Sequence, residues 1–566
     1  MSTSDFPNLC AMHRATCARL GPLPALRFKR DGVWHHLGWD DYRREADRAA
    51  AGLIGLGIEP DDRVALLSEN RFEWLVADHA ILSAGAVNVP IHALSSPAQV
   101  RYELEHSGAR GVVVSDAAQL EKVASVIDSL PELRFVASFE AVEPWPRLRT
   151  CSWDGLKRLG WLAGASARDE VSRREGARAA DGLATIIYTS GTTGNPKGVM
   201  LSHGNLLSNS AAAQRAFQFD CGDVMLSWLP FSHVFARCVD HYATTRMGTT
   251  LALAQSHLTL MENLVEIQPM GFTTVPRPME KVWAQLSVMP PAERKPAAKK
   301  IFGARLEYLC SGGAPLPAHV AAGLWDAGVP IFEGYGLTET SPIIAVNLRD
   351  RWKIGAVGPP VSGIEVRLAP DREILTRGPH VMQGYWRDPE ATARTIEGGW
   401  LHTGDLGELD GEGFLRVTGR KKDLIITASG KNVAPALLEA LLTTDPYIEQ
   451  AVAYGDTRPF VTAIIVPKLD RLADAAEKAG TVLPAGGEVI GDPRLVDWFQ
   501  ARVDTLMRAV SPPERVRRIL LLNQPFSLER EELTITQKLR RNTIFRRYRE
   551  ELDALYSKSP IAPVLP

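Results

Sequence analysis

Tyr188 to Val199 reads YTSGTTGNPKGV, a run that concentrates the residue types able to hold phosphate. Thr189, Ser190, Gly191, Thr192, Thr193 and Gly194 supply hydroxyls and unshielded backbone N–H groups, and Lys197 closes the run with a point charge. Glycines let backbone donors approach an anion closely, and small hydroxylated residues add further donors. The order differs from the nucleotide loop of GTPases and most ATPases, where Ser or Thr follows the lysine; here Gly198 follows Lys197. The apolar stretch from Leu183 to Tyr188 has the composition of a buried strand. The loop therefore sits at a strand's carboxyl end.

Further segments pair glycines with polar side chains in the same way. Trp228 to Phe235 (WLPFSHVF) places His233 among aromatics, and Ser311-Gly312-Gly313-Ala314-Pro315 follows the apolar run Leu306 to Cys310. Glu333-Gly334-Tyr335-Gly336-Leu337-Thr338-Glu339-Thr340 brings two acids, an aromatic ring and two hydroxyls into eight residues. A hard cation prefers carboxylate and hydroxyl oxygens, both of which this segment offers. Asp405 ends GWLHTGD and lies fourteen residues before Gly419-Arg420. Leu533 to Arg541 (LTITQKLRR) carries Lys538. Taken singly, each has a plain reading: a core histidine, a strand-to-helix turn, a solvated acidic turn, a solvated basic helix. Their order along one chain is the argument.

Together these segments resemble the acyl-adenylate-forming enzymes, the family of acyl-CoA synthetases, aryl-CoA ligases and luciferases, over about residues 20 to 556. Glu266 to Pro269, Thr273 to Val282, Gly419 to Thr427 and Gly430 to Pro435 are similar to the bacterial long-chain fatty acyl-CoA synthetase branch. The resemblance implies that residues 189–194 and Lys197 hold the phosphates of ATP. It implies that Gly312, Gly313, Ala314, Glu333, Gly334 and Tyr335 pack around the adenine, while Asp405 and Arg420 take the ribose. Thr338 would contact the α-phosphate, Glu339 with Thr189 would hold Mg²⁺, and His233 would line the acyl pocket. Lys538 falls on the catalytic lysine, although Ile535 stands where relatives often have proline. Lys422 falls on a hinge, and Ser429, Gly430 and Lys431 on a loop that faces the pantetheine of coenzyme A. The implied activity joins a fatty acid, long-chain by branch, to coenzyme A through an acyl-AMP, releasing AMP and pyrophosphate. Alternatives left open are a carrier-protein acceptor, an aryl or polycyclic acid, a luciferase-like oxygenase, and a binding protein without turnover.

Composition narrows the partners. A chain of 566 residues exceeds one ordinary core, and 45% hydrophobic with 23% charged residues is usual for a globular protein. A net charge of −2 gives no electrostatic reason to bind nucleic acid. Six scattered cysteines lack metal-ligand spacing and read as reduced thiols of a cytoplasmic protein. No secretory signal is visible, and the most apolar region, Trp74 to Ile91, is broken by Asp78, His79, Asn88 and Pro90. No spanning helix is expected, which leaves peripheral contact with the inner membrane face open.

The expected fold is α/β. A large N-terminal domain over 1–419 would hold parallel, helix-covered sheets and a small β subdomain at about 355–419. A mobile α+β domain would follow over 420–566, with a hinge near 420–423. The strand–loop–helix alternation carries this reading: strands at Val64 to Leu67, Ala86 to Val89, Gly111 to Val114 and Val329 to Phe332, and helices near Arg71 to Ala84 and Pro317 to Ala327. In the tail we expect a helix near Pro435 to Leu442, a strand near Phe460 to Val466, and a surface loop over Ala475 to Glu488.

Overall fold

Val112, Val113 and Val114 are fully buried on both faces of their strand, Gly111–Val114, the mark of a parallel sheet covered by helices on either side. The computed structural model describes residues 6–143, 145, 148–189, 195–256, 258–428, 431–483, 486–533 and 539–557. Gly111–Val114 lies in an eight-stranded sheet whose order is Gly384–Tyr385, Lys197–Ser202, Leu183–Thr189, Val87–His92, Arg63–Ser68, Gly111–Val114, Phe135–Ser138 and Arg149–Ser152. Pairing is parallel from Leu183–Thr189 to Arg149–Ser152, while Lys197–Ser202 and Gly384–Tyr385 join antiparallel at one edge.

A second eight-stranded sheet runs Ile343–Val346, Ile331–Gly336, Tyr308–Ser311, Gly271–Thr274, Val224–Ser227, Thr250–Leu253, Pro24–Arg30 and Val33–Gly38. Its two end strands are antiparallel to their neighbours and the rest are parallel. Each loop singled out in this part of the sequence follows the carboxyl end of a strand in one of these sheets. Ligands bind at such ends in open α/β sheets.

The chain divides into two compact units. The first comprises Met1–Arg367, Leu375–Thr403 and Leu409–Arg416; the second comprises Leu368–Ile374, Gly404–Glu408 and Val417–Pro566. The short strands expected after Gly363 are present as Glu365–Leu368, Glu373–Arg377, Ile396–Glu397, Trp400–Leu409 and Leu415–Arg420. The division passes through them.

Within the second unit, strands Ile448–Tyr454, Val461–Pro467 and Val516–Leu521 form a sheet in that order, antiparallel and then parallel. The helices Pro435–Leu442 and Pro493–Met507 bury Leu438, Leu442, Leu495, Phe499 and Val503 in its core. One expectation is corrected here. Ala475 to Glu488 is not a surface loop throughout, because Leu472–Lys478 is a helix that buries Leu472, Ala475 and Ala476. Alanine is the best helix former, and burial three and four residues apart gives this stretch a core-facing stripe.

Candidate active site

The strands Leu183–Thr189 and Lys197–Ser202, which flank residues 190–194, pair antiparallel. Thr189 ends one strand and lies opposite Lys197, which begins the next, and Tyr188 pairs with Gly198. Ser190, Gly191, Thr192, Thr193 and Gly194 lie outside the described residues. The flanks of the loop are tied to the helix Pro97–Ser107: the Tyr102 hydroxyl donates to Pro196 O (3.1 Å), and His106 Nδ1 lies 2.9 Å from the Tyr188 hydroxyl. Both contacts come from one face of that helix, four residues apart.

The segment Glu333 to Thr340 leaves the strand Ile331–Gly336 and doubles back. A Cβ at Gly336 would meet the Pro342 carbonyl oxygen at 1.6 Å, so only glycine fits that bend. Leu337 N–H donates to Pro342 O at 3.1 Å, and Met382 N–H donates to Glu339 O at 2.9 Å. Asn209, on the helix His203–Phe217, donates to Thr340 O (3.2 Å) and accepts from Ile343 N–H (2.5 Å). Asn205, one turn earlier, donates to Pro379 O and Val381 O. Sequence reasoning passed over both asparagines; their spacing of four on a Ser202-capped helix was the available signal.

These ties set Thr338 and Glu339 half-buried. Glu339 Oε1 accepts from the Tyr385 hydroxyl at 2.8 Å, and Lys197 Nζ sits 4.7 Å from the centre of the same ring. Lys197 and Glu339, which the sequence places far apart, are thus joined through one tyrosine that the sequence reading did not select. Glu333 is nearly buried; its loss of hydration pushes the carboxyl up to about 7, against the Leu316 and Gly355 N–H groups that favour the charge.

Gly312 faces the Phe235 ring, 3.0 Å from where a Cβ would stand, and lies 3.6 Å by the same measure from Gly334 O. Gly313 has φ +79°, and it and Ala314 are exposed, leaving an open backbone ledge just beyond the paired residues Ser311 and Glu333. His233 is half-buried, and its Nδ1 accepts from Phe235 N–H (3.2 Å), so it is no simple buried core histidine. Asn70 holds the same stretch from outside, donating to Leu229 O (2.7 Å) and accepting from Phe231 N–H (2.9 Å).

Beneath the helical turn that follows lies a closed charged cluster. Asp78 and Arg237 form an ion pair with both side chains fully buried. Asp78 also accepts from Asn88 (2.5 Å) and the Tyr242 hydroxyl (2.6 Å), and His241 Nε2 lies 3.2 Å away. Burial pushes the Asp78 carboxyl up, and Arg237 with His241 more than offsets it, holding the group well below the usual carboxylate range. Asp240 lies in the same turn. Its oxygens accept from Ser227 (2.6 Å) and Thr273 (2.7 Å), and burial pushes its carboxyl up to about 7.

In the second unit, Asp405 is buried and its Oδ1 lies 3.0 Å from Arg420 Nε, so the structure unites that pair. Lys421 reaches Asp371 (2.6 Å) and Glu373 (3.1 Å), and Lys422 lies exposed in the short helical turn Lys421–Asp423. Lys431 is exposed and pairs with Glu514 at 3.2 Å; Ser429 and Gly430 lie outside the described residues. Lys538 also lies outside them. Its flanks, Leu533 and Leu539, form an isolated bridge, and Arg540 N–H donates to the Glu532 carbonyl at 2.8 Å. Arg541 is bound bidentately to Glu439 (2.5 and 2.6 Å), so it is an anchor and not part of a solvated basic face.

The sequence matches the profile of the AMP-binding enzyme family over residues 14–386 and that of the AMP-binding enzyme C-terminal domain over 422–560. It is 35% identical to the long-chain-fatty-acid–CoA ligase FadD15 of Mycobacterium bovis, over 93% of each chain. It is 29% identical to the long-chain-fatty-acid–CoA ligase ACSBG2 of Xenopus laevis, over 96% of this chain and 83% of that one. Among solved structures, the anthranilate CoA ligase AuaEII in complex with anthranoyl-AMP superposes with a TM-score of 0.76 at 21% identity, over 98% of this chain and 100% of that one. The adenylation domain of a carboxylate reductase from Mycobacterium chelonae gives a TM-score of 0.77 at 23% identity, over 98% and 92%.

Proposed function

Because this chain belongs to the AMP-binding enzyme family, we propose that it is an ATP-dependent fatty acid–CoA ligase whose preferred acid is long-chain. The observation that carries the reading is the whole-length identity to the mycobacterial long-chain-fatty-acid–CoA ligase. The separated charges of Lys197 and Glu339 at one strand-end site agree with it.

A carboxylate is a poor acyl donor because its oxygen leaves badly. Its attack on the α-phosphorus of ATP forms the mixed anhydride and breaks the bond to the β-phosphate, releasing pyrophosphate. The thiol of coenzyme A then attacks the acyl carbon, AMP departs with the bonding pair, and the thiol proton passes to solvent. The enzyme's part in the first step is positioning and charge stabilisation. Lys197 and the loop amides hold the outer phosphates, and Thr338 meets the α-phosphate. The ledge of Gly312, Gly313 and Ala314, with Glu333, Gly334 and Tyr335, receives the adenine, while Asp405 accepts from the ribose hydroxyls beside Arg420. His233 lines the acyl pocket, and Lys538 neutralises charge developing between the acid and the α-phosphate.

The residues present fit a magnesium ion carried on nucleotide phosphates. Glu339 and Thr189 are the oxygen donors of this chain, and when bound the ion offsets phosphate charge.

Residues 1–419 act as the adenylation domain, with the β subdomain at about 355–419, and residues 420–566 as the mobile domain. Rotation about Lys422 exchanges Lys538 for the Ser429-Gly430-Lys431 loop between half-reactions. The enzyme works in the cytoplasm, with peripheral contact at the inner face of the membrane. Among the described residues no helix is long and apolar enough to cross a membrane.

A panel of carboxylic acids scored for AMP and pyrophosphate, with coenzyme A or a loaded carrier protein as acceptor, tests the reading. Long-chain acids with free coenzyme A should give the highest rates; ADP with orthophosphate would overturn it. Lys538→Ala should abolish acid-dependent ATP–pyrophosphate exchange and leave thioester formation from supplied acyl-AMP largely intact. Equal loss of both would rule out the exchange of active-site residues.

A further inference from the structure

Tyr385 stands on a two-residue strand, Gly384–Tyr385, at the sheet edge beside the strand that Lys197 begins. The segment is fixed from several sides. Gln383 N–H donates to Met200 O (3.0 Å), Trp386 N–H to Gly198 O (2.7 Å), and Tyr385 N–H to the Thr392 hydroxyl (2.8 Å). The Trp386 indole N–H donates to His106 O (3.1 Å), on the helix that also holds the flanks of the phosphate loop. Only 7% of Tyr385 is exposed. One face of that ring carries the Lys197 ammonium at 4.7 Å, its hydroxyl donates to Glu339 Oε1 at 2.8 Å, and Thr395 stands beside the hydroxyl.

Among the described residues, neither Lys197 nor Glu339 has an ion-pair partner, although the same tyrosine touches both. Opposite charges within side-chain reach attract most strongly at contact, and a Lys–Glu pair would spend both groups on each other. An aromatic face satisfies a cation weakly enough to release it, and a hydroxyl orients a carboxylate without neutralising it.

We propose that Tyr385 is a positioning residue that keeps Lys197 and Glu339 apart and aimed, so that one remains free for phosphate and the other for a divalent cation. The proposal rests on the ligase reading for the identity of those ligands. Its test therefore includes binding, which needs no turnover.

The measurements are ATP binding by calorimetry across a Mg²⁺ series, and Mn²⁺–ATP binding by electron paramagnetic resonance, on the full chain. Tyr385→Phe keeps the ring and loses the hydroxyl. It should raise the cation concentration for half-maximal ATP binding about threefold to tenfold, leaving the melting temperature and the KM for the fatty acid unchanged. Tyr385→Leu removes the spacer as well. It should weaken ATP binding about thirtyfold, and by clearly less in a Lys197→Ala or Glu339→Gln background, because the lost function acts through those two groups. ATP affinity and cation dependence within twofold of the parent in Tyr385→Phe would sink the proposal, as would full additivity of Tyr385→Leu with both partner changes. Should Tyr385→Leu fail to fold, the Phe variant decides alone. A parent protein that binds Mn²⁺–ATP yet activates no acid would defeat the ligase reading and leave this one standing.

Discussion

Two regions of the first unit use the same side-chain types to opposite ends. Around Asp78 a carboxylate, a guanidinium, an amide, a phenol and an imidazole close on one another, with Asp78 and Arg237 fully buried. Around Tyr385 a carboxylate and an ammonium are near one another, half-buried, and unpaired among the described residues. In the first, each charge is the other's solvent, and the result is a rigid core between helix and sheet. In the second, a phenol ring prevents that mutual satisfaction. Charge in a protein interior is structural when it is spent internally and functional when the fold leaves it over.

The sharpest way to break the comparison is to open the closed cluster. Arg237→Met should destabilise the protein by about 3–5 kcal/mol in a denaturant titration, because Asp78 is left buried and uncompensated. Pairing it with Asp78→Asn should recover a large part of that loss; no recovery would mean that Asp78 is held by its other partners. The same kind of deletion at the open site should do the reverse. Lys197→Ala should leave unfolding within about 0.5 kcal/mol of the parent and lower kcat/KM for ATP about a hundredfold, some 2.7 kcal/mol of transition-state stabilisation.

The smallest effect is the most discriminating in sign. The Glu333 carboxyl is raised to about 7 in the folded protein from an ordinary 4.5. Its contribution to stability is therefore full below pH 4.5 and is lost as pH rises through 7. Glu333→Gln should gain on the parent between pH 5 and pH 8, by about 2 kcal/mol, and equal slopes of stability against pH for the two proteins would refute this.

Much of this was legible in the sequence where local pattern and burial agree. The valines of Gly111–Val114 and the apolar strand before Thr189 declared a parallel sheet, and the glycine-rich segments marked where its strands end. The need for glycine at 336 emerged only with the fold, where a side chain would meet the Pro342 carbonyl. What was not legible depends on distant register. Asp78 looked like an interruption of an apolar run, because its partner Arg237 is 159 residues away. Tyr385 was invisible for the same reason: its role exists only once Gly384–Tyr385 pairs with the strand of Lys197. Ala475 misled in the other direction, since small residues read as loop when a neighbouring leucine supplies their core contact.

The second compact unit reaches back for Leu368–Ile374 and Gly404–Glu408, and this has a practical edge for anyone cutting the gene. A fragment beginning near residue 420 would carry Arg420 and Lys421 without Asp405, Asp371 and Glu373, the acids they bind in the whole chain. Such a piece would expose two stranded cations and raw strand edges, inviting precipitation on expression. A stand-alone tail would have to be spliced from three stretches of coding sequence, not clipped from the end of one.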